Sequence, residues 1–478
     1  MRSHHQHVLA HPYRTLVTAF AAWKLFLFAI VVASCVGGAY DTSAALVVLG
    51  SSGGNSTSFS RKVLVRFASW DAIYFVSAAR RGYRFEQEWA FGTGLPIVTR
   101  GLIQALTQFG LIPQALIPHG VAQDEALGSA LLETLVGVAV ANTSHLLSTA
   151  VLYRLGLLVW RPAHHPQGPL LALIAALLHV ISPAGLFLSA PYAESSFALL
   201  SFTGYFLYAR SCLSSGPWSR DGYVVLAGLS FGLATAFRSN GILNGVPFAW
   251  EFLELLPSLA NALFIGRSHR SMAATTDIVR RLAALGVGGV AVAAGSLIPQ
   301  AVAYQQFCSG SSGAEAPGGD ALQPRRLWCE GYLPSVYAFV QQHYWNTGFL
   351  RYWNLSNLPL FLLASPLLVI LAKSGSDYVF PPVQARPKAG KKAPTVESTR
   401  IVALLRSAAA AQVLLAVLAV TMYHVQIITR ISSGYPLWYW WLAGMLIRGE
   451  KLGSGIAMFM VMYASVQGVL FASFLPPA

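Results

Sequence analysis

Residues 15–37 read TLVTAFAAWKLFLFAIVVASCVG, an apolar stretch with one charged side chain. A helix needs about 20 mostly apolar residues to cross the hydrocarbon core of a membrane, and this stretch is long enough. No small-residue cleavage site of the kind that ends a signal peptide is evident around it. We therefore interpret residues 15–37 as an uncleaved membrane anchor.

Comparable apolar stretches recur along the rest of the chain. Hydrophobic residues make up 55% and charged residues 10% of the 478 residues, whereas a soluble domain has about 25% charged residues. This composition excludes an ordinary soluble protein and predicts an all-α polytopic membrane protein with about eleven transmembrane helices. We place the further spans at residues 127–153, 169–190, 192–211, 222–238, 241–265, 282–304, 356–372, 401–423, 435–447 and 455–475.

The net charge of +14 has two interpretations. It could mark a nucleic-acid-binding surface, but the basic residues cluster in short segments between apolar stretches, as expected of cytosolic loops. We therefore predict no nucleic-acid partner. With a cytosolic N-terminus, two long loops at residues 38–126 and 305–355 lie on the outer side, and residues 373–400 include a flexible cytosolic linker. We treat residues 1–478 as a single membrane domain.

Smaller features fit this topology. Asn55 and Asn354 each begin a glycosylation sequon on the predicted outer side. Cys308 and Cys329 flank a hydrophilic loop, and they would suit a disulfide if that loop is extracytoplasmic. The sequence shows neither the Cys and His spacing typical of a metal site nor an internal repeat typical of an inverted-repeat transporter.

The first outer loop carries a polar motif, Trp70-Asp71. It opens residues 71–81, whose apolar positions predict a short helix with one apolar face. Asp71 is therefore either a cap that faces the positive end of this helix or a catalytic carboxylate. Glu86 and Glu88 follow in the same loop and are alternative candidates for the general acid or base. In an extended segment, however, their side chains would lie on the same face and could simply be solvated.

Three further polar residues stand out because their surroundings are apolar. Glu194 opens a predicted helix and is either a structural carboxylate at the helix N-terminus or part of a polar site. Arg238, followed by Asn240, ends a predicted span on the outer side, and Arg430 brings another arginine there. A guanidinium group suits phosphate because its planar fork donates paired hydrogen bonds; snorkelling towards lipid headgroups is the alternative for Arg238.

The second outer loop is dense in aromatic residues around Tyr344, Trp345 and Arg351. Such residues usually mark the membrane interface, and they would equally suit stacking against a sugar. The polar motifs and this aromatic loop all converge on one side of the membrane, which predicts a functional site there. The sequence lacks the motifs of soluble nucleotide-binding and hydrolytic enzymes, so an activated sugar would have to arrive as a lipid phosphate.

Two other classes remain as alternatives, a secondary transporter and a non-catalytic membrane subunit. A transporter would place ionisable residues near the middle of the membrane in broken helices, whereas the polar motifs here lie at predicted helix ends. A scaffold subunit would not need several polar loops that meet on one side. The position of a polar cavity separates these classes, because a cavity at the outer boundary favours an enzyme.

These motifs resemble the GPI mannosyltransferase II family, the PIG-V type, in its fungal form. The resemblance implies an endoplasmic-reticulum membrane enzyme of the GT-C superfamily with its active site facing the lumen. It would transfer the second, α1,6-linked mannose from dolichyl-phosphate mannose to the glycosylphosphatidylinositol (GPI) precursor, with no cofactor. A small membrane partner subunit is a further candidate. The matching blocks are Ser69-Trp70-Asp71, Gly82-Tyr83, Glu86–Phe91, Ser182-Pro183-Ala184, Tyr192–Ser195, Phe237–Gly241 and Tyr344–Trp353.

The resemblance also implies roles for individual residues. Asp71 becomes the first choice for the general base that removes the acceptor hydroxyl proton, ahead of Glu86 and Glu88. Binding of the donor phosphate or of substrate is expected of Trp70, Glu194, Arg238, Asn240, Tyr344, Trp345, Arg351 and Arg430.

The sequence departs from the family pattern at two places. The family often has Phe-Phe-Pro after its Glu-Gln-Glu-Phe-Ala block, whereas this chain has residues 91–96, Phe-Gly-Thr-Gly-Leu-Pro, at that place. The superfamily often carries a pair of acidic residues in its first luminal loop, but Asp71 has no acidic residue within two positions. We therefore expect no metal site.

Overall fold

The computed structural model describes residues 9–50, 58–112, 129–163, 165–264, 269–309, 326–380 and 395–476. Over these ranges the chain is helical and contains no strand. The sequon at Asn55 and the middle of the predicted linker lie outside the described residues. Both ends of residues 373–400 are helical.

The helices follow one another in a long series with short connections. The α-helices are α1 (Pro12–Ser34), α2 (Ser43–Leu49), α3 (Phe59–Phe67), α4 (Ala72–Arg81), α5 (Gly94–Gln108), α6 (Leu131–Val159), α7 (Gly168–Val180), α8 (Glu194–Leu213), α9 (Pro217–Phe237), α10 (Val246–Phe264), α11 (His269–Cys308), α12 (Val336–His343), α13 (Leu358–Val379), α14 (Val396–Thr421), α15 (Ile428–Ile431), α16 (Leu437–Ile447) and α17 (Lys451–Ala472). Short 3-10 helices lie at Glu86–Phe91, Gly185–Leu188, Ser239–Gly245, Leu327–Glu330, Leu355–Asn357, Val425–Ile427 and Ser432–Gly434.

The apolar helices confirm the predicted all-α polytopic membrane class. Among the described residues, six helices are long and apolar enough to cross a membrane, namely α1, α6, α11, α13, α14 and α17. The predicted number of about eleven spans is not confirmed. Two of the other apolar helices, α7 and α16, are shorter than these six.

The predicted span at residues 169–190 is not a single helix. Helix α7 ends at Val180, and a buried segment, residues 181–193, separates it from α8. Pro183 has no N–H group to continue the helical hydrogen bonds, and Gly185 adopts a positive φ of 51°. The chain therefore turns inside the protein and starts a new helix at the site described below.

Polar side chains inside the bundle support this buried segment. The Lys24 ammonium group, in α1, donates to Ser189 Oγ (2.7 Å) and to the Leu188 carbonyl oxygen (2.9 Å). The His179 ring, in α7, lies 2.9 Å from Ser148 Oγ of α6. These contacts satisfy polar groups that would otherwise be buried without partners.

Ion pairs join α9, α10 and α11. They lie near the end of α8 and the beginning of α9, opposite to Glu194 at the beginning of α8. Asp221 accepts from Arg280 Nε (2.6 Å) and Arg281 Nη1 (3.3 Å), and Arg281 Nε donates to Glu251 (2.7 Å). Helix α8 has 20 residues and is therefore about 30 Å long, close to the thickness of the hydrocarbon core. This ion-pair cluster and Glu194 are consequently separated by roughly the thickness of the hydrocarbon core.

A disulfide fixes the second outer loop to the end of α11. Cys308 and Cys329 are bonded, with their Cα atoms 5.6 Å apart. The neighbouring Trp328 packs with Val336 and Val340 of α12 in a small apolar cluster. The bond considered from the sequence is therefore present, and it anchors the segment that leads into one wall of the cavity.

Helices α9 and α11 approach each other through small residues. A Cβ atom added to Gly228 would overlap with Gly288, and one added to Gly232 would overlap with the Ala291 carbonyl oxygen. Gly228 and Gly232 are four positions apart on one face of α9, the spacing through which membrane helices often pack closely. Glycine at these positions lets the two backbones touch.

We expect Gly228→Ala to destabilise the protein by about 1–3 kcal/mol, because the added methyl group meets backbone atoms that cannot move aside easily. Gly289→Ala is the matched control, since a Cβ atom there meets nothing within 4 Å and alanine is the better helix former. Thermal unfolding of both purified variants in detergent measures the difference. Equal unfolding midpoints would contradict the close α9–α11 contact.

Candidate functional site

A cavity of about 420 Å³ lies where the first outer loop meets the end of α9 and the segment around α15. Such a mixture of apolar walls and a few polar groups is typical of small-ligand sites. Its charged and polar lining includes Asp71, Arg238, Asn240, Gln341, His424 and Arg430. Its aromatic lining includes Trp70, Tyr74, Phe91, Tyr337, Trp345 and Tyr423.

Glu194 lies behind this cavity as the first residue of α8, with no solvent exposure. Its position in the first turn of a helix, near the positive end of the helix dipole, favours a negative charge. One oxygen, Oε1, contacts both Arg238 Nη1 (2.7 Å) and Arg430 Nε (2.9 Å). The other oxygen, Oε2, is buried without a hydrogen-bond partner among the described residues. Glu194 thus bridges two arginines that line the cavity.

Arg430 is held on several sides at once. Its Nη1 donates to Asp71 Oδ2 at 3.1 Å, and its guanidinium carbon lies 4.0 Å from the ring centroid of Phe187 and 4.9 Å from that of Tyr192. Burial alone would lower the pKa of Arg430, but the Glu194 and Asp71 carboxylates raise it above its ordinary value. Arg430 therefore remains charged, and its Nη2 carries none of these contacts.

The backbone conformation at the end of α9 sets the direction of the Arg238 side chain. The helix stops at Phe237, and Arg238 adopts an extended conformation with φ −147° and ψ 128°. Its Nε lies 3.3 Å from Asn240 Oδ1, while its Nη1 contacts Glu194. The four charged groups, Asp71, Arg430, Glu194 and Arg238, therefore form a chain of alternating sign, which is the arrangement that buried charges require.

Asp71 immediately precedes α4, as the sequence predicted, but its side chain makes no capping hydrogen bond. Asp71 occupies the N-cap position without acting as a hydrogen-bonding cap, and its carboxylate pairs with Arg430 instead. About a third of the side chain, 33%, remains exposed. Asp71 is thus a cavity residue held by an ion pair.

Trp70, beside Asp71, has an unusual backbone. Its φ is 61°, in the left-handed region that bulky residues rarely adopt. Its ring stacks on Phe474 at 5.1 Å, and its Nε1 is buried without a hydrogen-bond partner among the described residues. Such strain tends to be retained at functional sites.

Glu88 has a different environment from Asp71. It is 2% exposed, pairs with Arg81 and accepts hydrogen bonds from the backbone N–H groups of Arg84 (2.7 Å) and Phe85 (3.1 Å). It does not line the cavity. These contacts close the turn after α4, so the structure gives Glu88 a local bonding role.

Glu86 also lies outside the cavity lining. It accepts hydrogen bonds from Arg326 Nη1 (2.7 Å), Trp328 Nε1 (2.7 Å) and the Tyr344 hydroxyl (3.4 Å). Tyr344 and the exposed Arg351 are likewise not among the lining residues. The structure therefore brings six of the predicted site residues to the cavity and places Glu194 directly behind it. The six are Trp70, Asp71, Arg238, Asn240, Trp345 and Arg430.

Several lining residues carried no predicted role. His424 stacks on Tyr352 at 4.8 Å, and burial lowers its pKa, although the hydrogen bond with the Trp345 carbonyl and the negative charge of Asp71 oppose that shift. Its imidazole is therefore neutral at pH 7. Tyr337 and Gln341 come from α12. All three lie a few residues from Tyr344, Trp345 or Arg430 in the chain, but only the fold shows which side chains face the cavity.

In the described part of the chain, no three His, Cys, Asp or Glu residues lie close enough together to hold a metal ion. The expectation of a metal-independent site stays a prediction.

Residues 16–478 match the family model described as mannosyltransferase (PIG-V). GPI mannosyltransferase 2 of Chaetomium globosum is 59% identical over 99% of this chain and 98% of its own length. GPI mannosyltransferase 2 of Gibberella zeae is 42% identical over 98% of each chain. GPI alpha-1,6-mannosyltransferase 2 of Mus musculus is 30% identical over 80% of this chain and 73% of its own.

Among solved structures, the oligosaccharyltransferase of Archaeoglobus fulgidus aligns over 94% of this chain and 55% of its own, with a TM-score of 0.40 and 12% identity. A similarity this low carries no conclusion about the present chain. The sequence relationships do carry one, because they extend over nearly the whole length. This chain belongs to the PIG-V family of mannosyltransferases.

Proposed function

We propose that this protein transfers the second, α1,6-linked mannose from dolichyl-phosphate mannose to the GPI precursor. Its relatives bear the names GPI mannosyltransferase 2 and GPI alpha-1,6-mannosyltransferase 2. The observation that carries the proposal is the charge chain of Asp71, Arg430, Glu194 and Arg238 beside an aromatic cavity. This site combines a carboxylate with two phosphate-binding groups and sugar-stacking surfaces.

The reaction would be a single displacement. The acceptor hydroxyl oxygen attacks C1 of the donor mannose, the bond between C1 and the phosphate oxygen breaks, and the electron pair leaves with dolichyl phosphate. Asp71 takes the hydroxyl proton, and such general-base assistance typically contributes about 10²- to 10⁴-fold in rate. Asp71 is suited to this step because its carboxylate lines the cavity and is partly exposed.

The two arginines would bind the donor phosphate. Glu194 and Asp71 engage Nε and Nη1 of Arg430, while Glu194 and Asn240 engage Nη1 and Nε of Arg238. The Nη2 groups are outside those contacts and can donate to phosphate oxygens. Charge that develops on the departing phosphate would be stabilised by donors already fixed in position, which is the most effective form of electrostatic catalysis.

Aromatic rings would bind the sugars. Phe91 lies 4.6 Å from Tyr74 in a stacked arrangement and 5.2 Å from Trp345 in an edge arrangement. All three rings line the cavity, on the side of α4 and of the second outer loop. Their flat apolar faces suit the C–H surface of a mannose ring.

The membrane setting is part of the proposal. We place the protein in the endoplasmic-reticulum membrane, with the cavity on the luminal side, where both lipid-linked substrates would meet it. The Cys308–Cys329 disulfide supports an oxidising compartment on that side, and the arginine-rich cluster around Arg281 lies at the opposite end of α8. A small membrane partner subunit remains part of the proposal.

A transporter would use ionisable groups in the interior of the bundle. Lys24 and His179 are such groups, but neither lines the cavity. They are hydrogen-bonded to residues of the bundle. The described polar cavity lies at the helix ends, which favours the enzyme.

Asp71→Asn should lower mannosyl transfer about 10²- to 10⁴-fold, because the amide cannot accept the hydroxyl proton as a carboxylate does. Transfer of radiolabelled mannose from dolichyl-phosphate mannose to a one-mannose GPI acceptor is the measurement. Asp41→Asn is the control, since Asp41 is a half-buried carboxylate near the start of the same loop and does not line the cavity. Near-normal transfer by Asp71→Asn would remove Asp71 from the base role and return Glu86 and Glu88 to consideration.

Arg430→Lys should lower kcat/KM for the donor about 10- to 100-fold, because lysine keeps the positive charge but loses the planar fork that pairs with phosphate. The same transfer assay with varied donor concentration tests this. Arg448→Lys provides the comparison, because Arg448 is exposed and pairs with Glu450 away from the cavity. An unchanged donor dependence in Arg430→Lys would show that this arginine does not bind the phosphate.

A further inference from the structure

Tyr192 occupies a special place in the buried segment between α7 and α8. It has no solvent exposure and precedes Glu194 by two positions. Its ring lies against Phe187 at 4.9 Å and against Phe75 of α4 at 5.7 Å. One side chain thus contacts the segment that leads into α8 and the helix that follows Asp71.

The two ends of this side chain serve different parts of the site. The ring centroid lies 4.9 Å from the Arg430 guanidinium carbon, within the range of a cation–π contact. The hydroxyl donates a hydrogen bond to the Ser69 carbonyl oxygen at 3.1 Å. Ser69 is also tied to the end of α3, because its Oγ donates to the Arg66 carbonyl oxygen at 3.0 Å.

The hydrogen bond to Ser69 acts on a strained stretch of chain. The Ser69 carbonyl belongs to the peptide bond that leads into Trp70, whose φ is 61°. Rotation of that peptide would redirect both Trp70 and the following Asp71. A backbone conformation of this kind persists only where surrounding contacts fix it, and the Tyr192 hydroxyl is one such contact.

We propose that Tyr192 is a positioning residue that couples the phosphate-binding Arg430 to the Trp70-Asp71 loop. The proposal rests on the proposed function, because it assigns Asp71 and Arg430 to one reaction. The hydroxyl fixes the direction of Asp71, and the ring, together with Phe187, forms the surface on which the Arg430 guanidinium lies. Loss of the hydroxyl should therefore affect the chemical step, while loss of the aromatic surface should affect donor binding.

Tyr192→Phe separates these two effects, because it removes the hydroxyl and keeps the ring. We expect kcat for mannosyl transfer to fall about tenfold, which corresponds to the loss of one buried hydrogen bond, while the KM for the donor stays within about twofold. Tyr205→Phe is the matched control. Tyr205 is buried in α8, and its hydroxyl has no hydrogen-bond partner among the described residues, so the same substitution there should leave both constants unchanged.

The aromatic surface is tested by binding of dolichyl phosphate to the purified proteins. Phe187→Leu should weaken this binding about three- to tenfold through the lost cation–π contact, whereas Tyr192→Phe should bind as the wild type does. Phe202→Leu controls for the removal of a buried ring, since Phe202 is fully buried and its ring contacts His179.

The outcomes distinguish this proposal from the proposed function. A wild-type protein that transfers no mannose from dolichyl-phosphate mannose would overturn the proposed function itself. Active wild type with equal kcat values for Tyr192→Phe and Tyr205→Phe would overturn the positioning role alone. A Tyr192→Phe protein that does not fold, or that loses dolichyl phosphate binding as strongly as it loses kcat, would assign the hydroxyl to stability or to donor binding and would also overturn the proposal.

Discussion

A carboxylate with no access to solvent must be neutralised where it lies, and this requirement organises the protein around Glu194. Two arginines meet its Oε1 atom, one at the end of α9 and one in α15. Removing one partner from such a buried set typically costs about 3–5 kcal/mol, because the remaining charge is left uncompensated. The bundle must therefore bring α8, α9 and α15 together, and Asp71 joins them through Arg430. Stability and the geometry of the cavity depend on the same contacts.

The remaining helices hold this arrangement from outside. Close contact between α9 and α11 fixes the helix that delivers Arg238, and the ion pairs around Arg281 hold its other end. The disulfide and the Glu86 contacts hold the second outer loop, from which Tyr337 and Trp345 reach the cavity. These two walls of the cavity are thus supported by covalent, ionic and backbone contacts that lie outside it.

The sequence predicts the class of the fold well and the site in part. Long apolar runs are a local signal, so they identified a helical membrane protein, and isolated arginines at helix ends pointed to Arg238 and Arg430. The sequence placed the break between the spans at residues 169–190 and 192–211 at residue 191, whereas α7 already ends at Val180, because Pro183 lies within an apolar run that looks continuous. Glu86 and Glu88 resembled Asp71 in sequence, yet Glu88 is used in a local turn with Arg81, and the Arg326 partner of Glu86 comes from the distant second outer loop. Contacts between segments that are far apart in the chain produce no local sequence pattern from which they could be predicted.

The contact between Trp70 and Phe474 has a consequence for biosynthesis. Trp70 belongs to the first outer loop, whereas Phe474 follows α17 and carries a φ of 60° that turns its ring onto the indole. A ribosome adds about 5–20 residues per second, so the early loop is made well before the residue that completes this side of the cavity. The nascent chain therefore cannot assemble the finished site while it is being inserted, and maturation of the cavity must follow the docking of α17.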